Sequence, residues 1–391
     1  MLRKRIASLF HWRAAPNQKT CRLQVQALEE RAVPTLNTPD IFAIGSGGGM
    51  DATVKVYTNT GALMATFKPY PLPGNTFFQG GVKVAVGDIN NDGVFDVVTA
   101  AGQGGGPHVK VFNGVDIMNG SSNPSVLRDF FAYQPDFLGG VNVAVGDVNG
   151  DGLQDIVTGA GPGGGPHVVA YSNGFQNQQL MNFFPYDINF RGGVNVACGD
   201  IGGDQDTDEV ITGAGSVGAA DLNVGPLVNV YNFVDNGAAT QNQQRLASFF
   251  AYAANLRCGV FVASGATSNN RDAQNFLYAD IITGPGQGGG PHVKVFRLLD
   301  AVDNPPGTPN WVYFQAGEVF AYTPTFTGGV RVGVVRTGQF DNILTAAGVN
   351  GGPHQKTFNQ TSIGDLETYI PTLNSQLFAF DATYLGGIFI G

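Results

Sequence analysis

The chain has 391 residues, 43% of them hydrophobic and only 13% charged, with 57 glycines and a formal net charge of -9. That length holds one large domain or two smaller ones, and so many glycines among so few charges predict an all-β protein rich in tight turns. Residues 1–34 carry seven Lys/Arg against two Glu, which leaves 14 basic and 28 acidic residues in the body, a balance that argues against a nucleic-acid partner. Cys21, Cys198 and Cys258 make no disulfide framework, and Cys198 and Cys258 read as small core residues.

The chain opens with a basic leader over residues 1–37, disordered or targeting. Its Arg3-Lys4-Arg5 cluster is followed by an apolar run, Ile6–Phe10, too short for an ordinary secretion signal. The segment Leu23–Leu36, "LQVQALEERAVPTL", resembles the LEDR-x-VP-like leader of surface and exported proteins of planctomycete-type bacteria. The resemblance implies an extracellular or cell-surface location, with the cytoplasm as the alternative if the segment is only a solvated basic tail. No apolar run reaches transmembrane length.

Beyond the leader the chain repeats itself. Gly80–Phe112, "GGVKVAVGDINNDGVFDVVTAAGQGGGPHVKVF", and Gly139–Tyr171, "GGVNVAVGDVNGDGLQDIVTGAGPGGGPHVVAY", align without a gap and are identical at 22 of 33 positions. Val82–Val86 alternates in the manner of a strand, an acidic loop runs from Asp88 to Asp96, and a second strand, Val97–Ala100, enters the glycine run Gly102–Gly106. A third strand follows the Pro107-His108 pair, and an aromatic outer strand, Phe130-Phe131-Ala132-Tyr133, closes the unit. Short connections make consecutive strands antiparallel, so the acidic loop and the Gly-Pro-His loop lie at opposite ends. The outer-strand Phe and Tyr residues read as core between neighbouring units.

Six copies can be traced, over residues 38–72, 73–134, 135–187, 188–253, 254–323 and 324–382, with surface insertions around Asp221, Asn236 and Pro305–Pro309. The first copy lacks its opening strand. That strand stands instead at the end of the chain, in "TYLGGIFIG", Thr383–Gly391. A linear stack has no need of such an exchange, whereas a ring does. The expected fold is an all-β, six-bladed β-propeller of four-stranded antiparallel blades spanning 38–391, closed by the C-terminal strand pairing into the first blade.

The unit resembles the FG-GAP/VCBS repeat of integrin α-subunit propellers and of many bacterial surface proteins. The resemblance implies calcium in the loops between first and second strands, and ligands docking on the opposite face of the integrin members. It does not select among adhesion, lectin activity and attachment to enzymes.

Calcium also follows from the residues. The pattern D-x-N-x-D-G-x-x-D supplies side-chain oxygens at positions one, three, five and nine and a carbonyl at seven, with glycine at six for the bend. Asp88, Asn90, Asp92, the Val94 carbonyl and Asp96 meet it, as do Asp147, Asn149, Asp151, the Leu153 carbonyl and Asp155. The bland alternative is a polar hairpin turn. Copy four keeps Asp200, Asp204, Asp206 and Asp208 but loses the Asn and the Gly, so any site there is weaker or reshaped. Copies five and six retain only Asp280 and Asp341 and are expected to hold no ion.

His108, His167, His292 and His354 each stand in a GGPH turn on the other face. They are either ligand contacts or structural groups, each bonded to its own turn and packed on the next blade. Neither a nucleophile elbow, a zinc-binding helix nor a phosphate-cradling loop is present. The sequence therefore predicts a calcium-stabilised, non-enzymatic binding or adhesion propeller with a protein or glycan ligand. The alternatives are a carbohydrate-binding lectin, for which Trp311 and Tyr313 are the named aromatic cluster, and a polysaccharide lyase or hydrolase on a propeller scaffold.

Overall fold

The second strand of the unit is made of β-branched and small residues, such as Asp96–Ala101 (DVVTAA) and Asp155–Ala160 (DIVTGA), and it is buried at every position. Such residues fill the space between two sheets packed face to face, so the second strands form the middle of each blade wall. The computed structural model describes residues 40–173, 178–202, 207–216, 224–235, 242–268, 278–300, 311–338, 340–362 and 369–391. The leader and the insertions at Asp221, Asn236 and Pro305–Pro309 lie outside the described residues.

Six four-stranded antiparallel blades form a ring. Blade two pairs Val82–Gly87, Asp96–Ala101, His108–Phe112 and Val126–Phe131 in that order, and blade three repeats it with Val141–Gly146, Asp155–Ala160, Val168–Tyr171 and Gln179–Phe183. Blades four, five and six begin at Val194–Gly199, Val260–Gly265 and Val330–Arg336. In blade one the innermost strand is Ile388–Ile390, which pairs antiparallel with Ile41–Ser46 through Ile44↔Ile390 and Ser46↔Ile388. Ile388 is fully buried there, and the closure expected from the split first copy is the one observed.

Aromatic residues couple the blades in a register the sequence reading only half anticipated. In blades one to four a Phe of the outer strand packs on the third strand of the next blade: Phe67 on Phe112 at 4.8 Å, Phe130 on Tyr171 at 5.1 Å, Phe183 on Tyr231 at 4.6 Å and Phe249 on Phe296 at 4.9 Å between ring centres. The neighbouring Phe131, Phe184 and Phe250 point the other way, as strand alternation requires, and are exposed rather than core. Cys198 is partly buried and Cys258 buried, and both are free thiols.

A close backbone contact between blades is made by glycine at every seam. In the turn before each inner strand, Gly81, Gly140, Gly193, Gly259, Gly329 and Gly387 all have φ between 72° and 86°. A Cβ built on any of them would stand 2.5–2.9 Å from the carbonyl carbon of a second glycine, respectively Gly47, Gly102, Gly161, Gly215, Gly286 and Gly348, in the preceding blade. Each second glycine in turn donates its N–H to the first-turn glycine of its own blade, as in Gly102 to Gly81 at 3.0 Å and Gly161 to Gly140 at 2.9 Å. Backbone thus packs on backbone at every seam, with no room for a side chain.

Gly140→Ala is therefore expected to be much worse than Gly163→Ala. Gly163 shares the positive φ, at 92°, but has nothing within 4 Å of its missing Cβ. Urea unfolding should show a loss of about 1–2 kcal/mol for Gly163→Ala, the cost of a left-handed L-residue, and a clearly larger loss for Gly140→Ala. Equal losses would show that the seam is not close-packed.

Candidate functional site

The two acidic loops coil in the same way. Asp88 accepts the N–H groups of Asp92 at 3.1 Å and Gly93 at 2.8 Å, and Asp147 accepts those of Asp151 at 3.1 Å and Gly152 at 2.7 Å. Asn90 and Asn149 accept from Asp92 and Asp151 through Oδ1, and their amide groups donate to the Oδ2 atoms of the same two aspartates. Asp92 and Asp151 accept the N–H of Val94 and Leu153, both at 2.9 Å. Positive φ at Asn91 and Gly93, and at Gly150 and Gly152, lets the loop wind this tightly.

The last aspartate of each pattern has a different setting. Asp96 is fully buried, and its carboxylate accepts N–H groups from Ile89 at 3.0 Å, Asn90 at 3.2 Å and Gly114 at 2.7 Å. Asp155, also fully buried, accepts from Val148 at 3.1 Å and Asn173 at 2.9 Å. Asn173 also donates its side-chain amide to the Ile89 carbonyl, which ties blade three to the acidic loop of blade two. Burial pushes Asp96 up to about 6 and Asp155 up to about 7, the charges of Asp151 and Asp147 adding to the latter.

Strand register relocates two residues. Gly87 pairs with Asp96, but in blade four Gly199 pairs with Glu209, one residue beyond Asp208. Glu209 takes the place of the last aspartate, accepting N–H groups from Ile201 and Gly202 at 2.8 Å each. Asp208 instead latches blade four to blade three: its carboxylate accepts the Asp147 N–H at 2.9 Å and its own N–H reaches the Asp147 carbonyl at 2.7 Å. Asp341 makes the same double bond to Ala266 of blade five, at 2.8 and 3.0 Å, while Asn342 occupies the register position of Asp96. Asp280 is buried against Arg297 at 2.9 Å and the hydroxyls of Thr267 and Ser268. The Asp200 carbonyl accepts the Ala279 N–H, and Asp204 and Asp206 lie outside the described residues. The inserted residue in the blade-four loop is what hid Glu209 from the alignment.

As donors, the oxygens of the two full loops fit a hard divalent cation in kind, with carboxylates, an amide oxygen and a carbonyl on one short coil. Among the described residues no group of three or more His, Cys, Asp or Glu side chains is arranged to hold a metal ion, so a cation would also have to draw on the Asn and the carbonyl.

At the opposite end the four GGPH histidines share one set of contacts. In each, the ring packs on the exposed Phe at the end of its own outer strand: His108 tilted on Phe131, and His167, His292 and His354 stacked on Phe184, Phe320 and Phe378, 4.6–4.9 Å between centres. Its Nε2 meets a polar side chain two residues before that Phe: Asp129, Asn182 at 2.7 Å, Glu318 at 2.9 Å and Gln376 at 2.9 Å. Its backbone carbonyl accepts the hydroxyl of a tyrosine from the preceding blade, Tyr70, Tyr133, Tyr252 or Tyr322, at 2.7–3.1 Å. The imidazoles thus bond the outer strand rather than their own turn. Blade four has Leu227 in place of the histidine and keeps the tyrosine bond, from Tyr186 at 3.1 Å, so that bond does not need the imidazole. Burial holds His292 and His354 below the usual imidazole range.

Between blades two and three this face opens into a cleft of about 660 Å³ lined by Phe130, Phe131, Tyr133, Phe137, His167 and Tyr171. Tyr313, half of the aromatic cluster named from sequence, stacks on Phe249 at 4.4 Å, and the Trp311 side chain falls outside what is described. The polar partners of the histidines escaped the sequence reading, although their spacing before the outer Phe recurs in "DFF", "NFF", "EVF" and "QLF". Among the described residues no helix is long and apolar enough to cross a membrane.

The FG-GAP repeat family matches residues 139–175, the first three strands of blade three with their acidic loop. That match and the ring of six blades fit an FG-GAP, integrin-like propeller. No curated protein matches the sequence. Similar solved structures include a humanized mutant of the Chaetomium thermophilum Polycomb Repressive Complex 2, at 10% identity over 82% of this chain and 68% of that one, TM-score 0.45. They also include the rhamnogalacturonan lyase YesW, at 11% over 88% and 79%, TM-score 0.34, and a Bacillus licheniformis rhamnogalacturonan lyase, at 10% over 87% and 78%, TM-score 0.33.

The buried aspartates set a pH dependence in the absence of divalent ions. Folded-state values of about 6 and about 7 lie above the ordinary 3.8, so between these limits the native state holds protons that the unfolded chain has lost. Stability from this source is complete below pH 3.8 and disappears as the pH rises through about 6 and 7. In chelator, the urea midpoint should fall from pH 4 to pH 7, and Asp155→Asn should flatten the upper part. A midpoint that rises over this range would contradict the assignment.

Proposed function

We propose that this FG-GAP-type propeller is a calcium-stabilised, non-enzymatic binding module that works outside the cell or at its surface. The observation that carries the reading is the matched coil of the two acidic loops. In both, three carboxylates, an amide oxygen and a carbonyl lie on nine residues wound around their first aspartate. Three negative groups on so short a loop repel one another, and two of the six aspartates are already costly to ionise. Asp88, Asn90, Asp92, the Val94 carbonyl and Asp96 would hold one ion, and Asp147, Asn149, Asp151, the Leu153 carbonyl and Asp155 the other. A cation there would lower the cost of ionising Asp96 and Asp155 and pin the loop that neighbouring blades grip. A basic leader resembling those of exported proteins and an acidic body agree with an extracellular setting, where calcium is abundant.

Thermal unfolding with 10 mM calcium against excess chelator tests this reading. Extracellular calcium modules bind at roughly 0.1–1 mM, so each occupied loop should add about 1.4–2.7 kcal/mol. The gain should vanish when Asp92 and Asp151 are both changed to Ala. A wild-type midpoint indifferent to calcium would reduce the loops to polar turns.

The cleft between blades two and three favours a glycan as ligand. Its half-exposed Phe131 and partly buried Phe137 offer apolar faces, and the adjoining Gln134, His167 and Gln179 offer donors and acceptors, the pairing that suits a pyranose ring with one apolar face and a hydroxyl rim. On a glycan array the wild type should bind discrete sugars, and Phe131→Ala should weaken that binding at least tenfold while leaving calcium stabilisation intact. Unchanged glycan binding in this variant would place the ligand elsewhere.

A further inference from the structure

The second residue of every innermost strand faces the ring axis, and in blade order these are Phe389, Lys83, Asn142, Asn195, Phe261 and Arg331. They surround an axial cavity of about 60 Å³, where one water needs roughly 10–15 Å³. The amides already have partners, since Asn142 donates to the Val194 carbonyl and Asn195 to the Val260 carbonyl, both at 2.7 Å. The cations are not matched in this way. Lys83 Nζ lies 3.1 Å from the centre of the Phe389 ring, and the Arg331 guanidinium lies 4.2 Å from the same ring and 5.6 Å from Phe261. Arg331 donates one Nη1 bond, to the Ala347 carbonyl at 3.2 Å, and its buried Nε has no hydrogen-bond partner.

Among the described residues no carboxylate lines this cavity, and none is ion-paired with Lys83 or Arg331. Two like charges therefore share one aromatic ring on the axis of a chain whose net charge is -9. Both residues are only partly buried, and ring contacts offset only part of the cost of withdrawing the two cations from bulk water. Burial, with the Arg331 charge adding to it, drives Lys83 well below the ammonium range, and burial lowers Arg331 to about 10.

We propose that the axial channel binds a small monovalent anion, a halide ion or a carboxylate group, between Lys83 and Arg331. The Lys83 ammonium and the Arg331 guanidinium supply the donors, and the Phe389 and Phe261 rings form the apolar wall beside them. The site is independent of the acidic loops and of the cleft, because its residues come from the inner strands alone.

The test is thermal unfolding at constant ionic strength and constant calcium, with sodium gluconate, too bulky for the cavity, replaced stepwise by chloride or formate. The wild-type midpoint should rise saturably by roughly 2–4 °C, and Lys83→Met and Arg331→Met should not respond. A flat wild-type response, or an equal response in both variants, overturns the proposal. Should either variant fail to fold, NMR of the Lys83 ε-methylene in the wild type decides the matter. Formate should raise the pH midpoint of Lys83 by one unit or more, and an unmoved midpoint overturns the site.

Discussion

The architecture depends on backbone meeting backbone at six glycine seams. Ordinary sheet-on-sheet packing keeps strands about 10 Å apart with side chains between them, but a ring brings the inner ends of neighbouring blades much closer. At those ends each blade places a left-handed glycine against a glycine of the blade before it, 2.5–2.9 Å from where a Cβ would stand. The approach is possible because neither partner has a side chain, and it is repeated at the closing seam, where Gly387 of the C-terminal segment meets Gly348 of blade six.

From this constraint the rest of the molecule spreads outward with increasing freedom. The second strands are buried on both faces, the third strands receive the aromatic contacts from the preceding blade, and the outer strands of blades two to six end on exposed phenylalanines. The two ends of the ring then diverge chemically. On one, carboxylates wind around backbone N–H groups, and Asp208 and Asp341 clasp the preceding blade. On the other, imidazole and phenyl rings stack in pairs above a tyrosine that bonds the next blade's backbone. The closing seam lacks that last bond, because Phe380 stands where the other blades have tyrosine and has no hydroxyl to donate. Lys55 lies over its ring at 5.0 Å instead.

Much of this was legible because the chain carries its own alignment. Two copies identical at 22 of 33 positions expose the strand order, the opposite placement of the acidic and Gly-Pro-His loops, and the missing strand that Ile388–Ile390 supplies. Fading copies were read less well. The blade-four loop carries one extra residue, so Asp208 took the register that belongs to Glu209, and Asp341 was set one place away from Asn342. Repetition also made the paired phenylalanines look alike, although strand alternation sends one inward and the next outward.

The sequence by itself determined the unit, its count, the exchange that closes the ring and the donor types at each end, because each depends on local pattern and spacing. Only the tertiary structure decided which residues from different blades face one another. That the second residues of six inner strands converge on one axis, with Lys83 and Arg331 over the same Phe389 ring, is a consequence of ring closure. No local sequence pattern encodes a contact between Lys83 and Phe389, which lie more than three hundred residues apart, so it appears only when the blades are assembled.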